Sequence, residues 1–148
     1  MLKKWALAVL LAAMVVTGAG CGTADGEKAE KEAKVAKITF GDYPQDEGRK
    51  ELIKPRGHFG KDEDIALEFD LPSKETFDSS LVKVKVLKQP GNKLQYEFET
   101  DVDPTWDSFM WEFTDSSDFP GFYDPGEYTI QILRGKELLA EGDLEIID

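Results

Sequence analysis

From about Val35 to the C-terminus, apolar and polar residues alternate in short runs. Ile65, Leu67, Phe69 and Leu71 alternate with Ala66, Glu68 and Asp70, and Val82, Val84 and Val86 alternate with Lys83 and Lys85. The same period of two carries Leu94, Tyr96, Phe98 and Thr100, then Phe109, Trp111 and Phe113, then Tyr128, Ile130 and Ile132, and finally Leu144 and Ile146. Side chains of a strand point alternately to its two faces, so each run predicts a strand with one face buried. An earlier strand over Val35–Phe40 and a looser extended piece over Glu51–Lys54 complete the set. No stretch between them has a helical apolar face.

The punctuation agrees with strands. Gln89-Pro-Gly-Asn92 is a turn signal, and Arg134-Gly-Lys-Glu137 puts Gly135 where a two-residue hairpin loop needs positive φ. About seven short strands over residues 35–148 predict an all-β, antiparallel β-sandwich, and a small barrel would satisfy the same periodicity. Asp124-Pro-Gly-Glu-Tyr-Thr-Ile130 resembles the tyrosine corner of immunoglobulin-like domains, with Tyr128 entering the penultimate strand. The stretch from Pro125 to Ile146 is similar to the final hairpin of bacterial Ig-like modules. Ile130 stands where antibody domains carry their second cysteine, so the resemblance implies the sandwich without its inter-sheet disulfide.

The first residues follow a different pattern. Met1-Leu-Lys-Lys4 is basic, Trp5–Val16 is an apolar run, and Thr17-Gly-Ala-Gly-Cys21 is built of small residues around one cysteine. This is the layout of a secretory signal, and the run is short of the roughly 20 residues a membrane span needs. Gly18-Ala19-Gly20-Cys21 resembles the lipobox of bacterial lipoproteins, although Gly18 stands where an aliphatic residue is usual. The resemblance implies a signal peptide over residues 1–20, removed on export, and a Cys21 thiol that carries diacylglycerol, with palmitate among its fatty-acyl chains. The other reading is an uncleaved signal anchor with an incidental cysteine. Residues 21–34 read as the modified cysteine and a charged tether. Glu27 with Lys31 and Glu30 with Lys34 are favourable i,i+4 pairs, but no apolar face holds the segment to a domain. Fully extended, its residues would reach about 45 Å. The expected location is the extracytoplasmic face of a cell membrane.

Charge narrows the partners. Thirty Asp and Glu oppose eighteen Lys and Arg, and the net charge of −12 becomes −14 when Lys3 and Lys4 leave with the signal peptide. Such a body is repelled by nucleic acid and by anionic headgroups, so membrane attachment rests on the covalent anchor at Cys21. Basic protein surfaces and divalent cations are the partners this charge admits. The hydrophobic fraction of 41% is enough for one core.

Catalytic chemistry finds little support. His58 is the only histidine, no Gly-x-Ser-x-Gly is present, and zinc would lack its usual His and Cys ligands. His58 is expected to be an exposed loop residue. Calcium is the one cofactor the residues invite, through Asp101, Asp103 and Asp107 in one connecting loop, with Asp62-Glu-Asp64 and Asp115-Ser-Ser-Asp118 as further acidic groups. None of these has the spacing of an EF-hand. Trp106, Phe119, Phe122 and Tyr123 lie on inter-strand loops and are the candidate partner-binding residues, with a plug at the end of the core as the other role. The expected function is a lipid-anchored, extracytoplasmic binding module that recognises an envelope protein or polymer. The alternatives are an envelope enzyme using acidic residues and a structural, calcium-binding surface protein.

Overall fold

A computed structural model of the chain describes residues 35–148. The signal segment expected over residues 1–20 and the lipidated Cys21 and tether expected over 21–34 lie outside the described residues. Nine strands follow in order: β1 (Ala36–Lys37), β2 (Thr39–Gly41), β3 (His58–Gly60), β4 (Ala66–Asp70), β5 (Leu81–Lys88), β6 (Lys93–Asp101), β7 (Ser108–Glu112), β8 (Gly126–Arg134) and β9 (Glu137–Ile147). Short 3₁₀ turns cover Pro72–Lys74 and Phe113–Asp115.

The strands form two sheets. The larger runs β1-β9-β8-β5-β6, with β3 also on β9, and the smaller runs β2-β4-β7. β1 and β3 lie parallel to separate stretches of β9, and every other pairing is antiparallel. This is a sandwich rather than a barrel, and its architecture is immunoglobulin-like. The alternation read in the sequence is the alternation of the sheets. Val82, Val84 and Val86 of β5, Ile130 and Ile132 of β8, and Leu144 and Ile146 of β9 point inward and are buried, opposite Leu67 and Phe69 of β4. Each such side chain contributes about 1.5–3 kcal/mol by leaving water.

Three local expectations change. The strand predicted over Val35–Phe40 is split at Ile38, so β1 belongs to one sheet and β2 to the other. The piece over Glu51–Lys54 forms only a single bridge, Ile53 to Asp42. His58 lies on a strand instead of a loop, because Phe59 is fully buried and draws its neighbours onto β9.

The split at Ile38 needs a gap in β9. The Ile38 N–H donates to the Glu141 carbonyl at 3.0 Å as the chain crosses between sheets. A Cβ on Gly142 would stand 2.7 Å from the Ile38 Cβ and 2.8 Å from its carbonyl oxygen. Only glycine admits that approach.

The tyrosine corner is present. The Tyr128 hydroxyl donates to the Asp124 carbonyl at 2.6 Å, tying the loop to the strand it enters. Burial pushes the phenol above its ordinary range, so it stays a donor. The β8–β9 hairpin closes through Gly135 at φ +60°, as its sequence requires.

Two outcomes are expected. Gly142→Ala should destabilise the domain by about 1–3 kcal/mol in urea unfolding, as overpacking does in a filled core. Tyr128→Phe should cost about 1–2 kcal/mol, because the Asp124 carbonyl loses its donor while the ring still packs.

Candidate functional site

The acidic loop does not gather its carboxylates. The Asp103 carboxylate folds back on its own loop and accepts from the Thr105 N–H at 2.8 Å and hydroxyl at 2.7 Å. Those bonds, the hydroxyl's first, hold its carboxyl below the ordinary range. Asp101 ends β6 opposite Leu81, and the Asp107 carbonyl accepts from the Leu71 N–H at 2.7 Å. The Phe77 and Asp78 amides bond the carbonyls of Trp106 and Pro104, sewing this loop to the β4–β5 loop. Among the described residues, no three His, Cys, Asp or Glu side chains converge as metal ligands. Asp101, Asp103 and Asp107 are therefore not brought together as a set of ligands among the described residues, because backbone pairing and the Asp103 turn govern where their side chains stand.

The aromatic set divides as well. Phe119 and Phe122 are buried, their rings 5.1 Å apart, and Phe122 stacks edge-on to Tyr128 at 4.8 Å. They plug the core instead of presenting a surface, since the large sheet turns its aromatic side toward them. Trp106 and Tyr123 remain exposed, at 48% and 68%. They do not share one end of the sandwich. Trp106 precedes Ser108, which pairs with Asp70, whereas the 113–125 segment leaves β7 beyond Glu112 and enters β8 beside Ile146. A single loop surface of Trp106, Phe119, Phe122 and Tyr123 is thus replaced by two separate exposed rings and two core residues.

A different feature carries polar chemistry. An open groove of about 680 Å³ runs over the outer face of β8 and β9. Its floor is three cross-strand pairs: Glu127 with Glu145, Thr129 with Asp143, and Gln131 with Glu141. His58 on β3 forms one wall, and Gln89, Pro90 and Asn92 of the β5–β6 turn form the other. The floor is held by its own hydrogen bonds. Thr129 Oγ1 donates to Asp143 Oδ1 at 2.6 Å and accepts from Gln89 Nε2 at 2.9 Å. Gln131 Nε2 donates to Glu141 Oε2 at 2.6 Å, and His58 Nε2 lies 3.0 Å from Glu145 Oε2.

Four carboxylates on two neighbouring strands make a negative surface, and three of them are held in place by Thr129, Gln131 and His58. Period two put them there: the residues that alternate with Tyr128, Ile130, Leu144 and Ile146 must face outward. Their sequence signal was the alternation itself, but nothing local distinguished them from other outward-facing acids. The β3 strand and the β5–β6 turn, distant in sequence, supply the walls.

A second acidic group sits at the end of β7. Burial pushes the Glu112 carboxyl up, and the negative charges of Asp64, Asp115 and Asp42 push it further. A carboxyl raised in the folded state binds its proton more tightly there than in the unfolded chain. Its contribution is therefore favourable at low pH and is lost as pH rises through the folded value. Glu112→Gln should raise the melting temperature near neutral pH by about 1–2 °C. The gain should vanish at acid pH below the ordinary glutamate range, where the residue is protonated in the folded and unfolded chains alike. Paired melting curves of the two proteins across that range check this.

No protein-family model matches the chain, and no curated protein matches its sequence. Among solved structures, the domain is similar to an immunoglobulin-like protein from Pseudomonas aeruginosa, at 16% identity and a TM-score of 0.45, over 74% of this chain and 91% of that one. It is also similar to the PmoD soluble domain from a Methylocystis species, at 12% identity and a TM-score of 0.40, over 74% of this chain and 89% of that one.

Proposed function

We propose that this protein is a lipid-anchored binding module of a bacterial cell envelope, exposed on the extracytoplasmic face, which works by holding a cationic partner rather than by turnover. The observation that carries the reading is the open, pre-bonded acidic groove over β8 and β9. Carboxylates fixed on strands suit guanidinium or ammonium groups, because charge-assisted hydrogen bonds gain most when the acceptors need no reordering. A cell-wall polymer with amino groups and a basic envelope protein share that chemistry. A groove open to water favours binding over catalysis, which needs a reacting centre shielded from bulk solvent.

The anchor rests on residues 1–21. A basic start, an apolar run and a small-residue stretch ending at Cys21 support lipidation of that thiol. Two or more acyl chains hold a protein firmly at a membrane where one would not. The tether then lets a strongly acidic body stand off a negative surface.

Two measurements test the reading. In bacterial cells given labelled palmitate, the full chain should carry label in the membrane fraction, and Cys21→Ala should carry none. Equal labelling of the variant would overturn the anchor. For the groove, a lysine hexapeptide should bind the full chain about tenfold more weakly after Glu127→Gln, Asp143→Asn and Glu145→Gln are combined. A control of equal charge, combining Asp46→Asn, Glu47→Gln and Glu75→Gln, should change binding less than about twofold. Equal losses in the two variants would reduce the groove to general electrostatics.

A further inference from the structure

We infer that the free edge of β6 is a second docking site, independent of the groove, which takes an extended polypeptide segment alternating basic and apolar residues. β6 is nine residues long and closes the order of the large sheet. Among the described residues it pairs with β5 alone. Its other edge therefore presents a row of backbone donors and acceptors along roughly 30 Å.

Proteins blunt such an edge with a short strand, a proline, a bulge or a charge on the inner face. β6 has no proline, and its inner face is Tyr96, Phe98 and Thr100, all half-buried. The one irregularity in its pairing lies near its start, at the Val86/Leu87 position of β5, leaving Tyr96–Asp101 in regular register. The strand is thus geometrically competent to template another.

Charge and packing then select the occupant. The outward residues of the regular stretch are Glu97, Glu99 and Asp101, an unbroken acidic stripe. On its paired side the stripe meets a complementary strand. Lys85 stands opposite Glu97 and Lys83 opposite Glu99, and Lys83 Nζ bonds Glu97 Oε1 at 3.1 Å. Those lysines alternate with Val82, Val84 and Val86, which enter the core. On the free side nothing among the described residues answers the same stripe. Below it, the half-buried rings of Tyr96, Phe98 and Trp111 line the side of the sandwich where the edges of both sheets meet solvent. A strand added there would put its basic residues beside Glu97 and Glu99 and its apolar residues over the rings, repeating the pattern of β5. A second copy of this chain fits less well, because it brings the same acidic stripe and an equally negative body.

The probe is a synthetic peptide of the β5 sequence, Leu81-Val-Lys-Val-Lys-Val-Leu-Lys88, added to the full chain in detergent micelles. Hydrogen exchange followed by mass spectrometry should show new protection within residues 93–101. The same peptide with its three lysines replaced by glutamate should give none. Combining Glu97→Gln with Glu99→Gln should weaken binding about tenfold, while the triple groove variant should bind the peptide as the parent does. Protection confined to β8 and β9, protection by the acidic peptide, or no protection at all would overturn the site. So would a dimer in sedimentation whose β6 is protected without peptide, since the edge would then belong to a second copy. The first of these outcomes would leave the groove reading intact.

Discussion

The crossing of Ile38 over Gly142 sets the asymmetry on which the rest of the domain depends. There the first strand leaves β9 and joins β4, so one side of the sandwich is sealed by continuous backbone. The seal requires that β9 carry no side chain at the point of crossing, and Gly142 meets that requirement. Among the described residues no strand passes between the sheets on the opposite side, where β6 and β7 are both edges. That side is closed by rings: Phe98 lies 5.9 Å from Trp111, and Tyr96 lies 5.3 Å from Phe119. Phe119 and Phe122 are core residues for this reason. A loop that would otherwise be a display surface is drawn inward because side chains must do there what backbone does at Ile38.

The same asymmetry governs what the surface offers. The strands sealed into the middle of the large sheet expose only one face, and on β8 and β9 that face is a bonded acidic floor. β6, left at the open side, exposes a face and an edge together. Both surfaces are negative, and both follow from one rule: in a strand with a buried apolar face, the charged residues have a single direction left to point. The two surfaces differ in what else they provide. The groove adds fixed side-chain acceptors, whereas the edge adds unpaired backbone and half-buried rings.

Much of this was legible in the residues themselves. The inward valines of β5, the inward isoleucines of β8, the glycine of the final hairpin and the tyrosine corner were readable because each rests on a local rule, period two or a required positive φ. Residues 1–21 carry their own pattern in the same local way. His58 was misplaced because a three-residue strand is too short to show a period. Its pairing depends on β9, more than eighty residues further along the chain. The carboxylates of the 101–107 loop are neighbours along the chain, and spacing is the only geometry a sequence offers. Where those carboxylates stand is decided by the backbone bonds that sew this loop to the β4–β5 loop.

The sequence by itself determined which residues alternate, where the chain must turn and that the body is strongly acidic, since these depend on neighbours a few residues apart. Tertiary structure alone decided that Ile38 divides a strand between two sheets, that Phe119 and Phe122 fill the core, and that Glu127, Glu141, Asp143 and Glu145 share one groove with His58. Each of those facts needs segments tens of residues apart to meet. Such meetings are set by how two apolar faces close on each other, which no local pattern of hydrophobic and polar residues encodes.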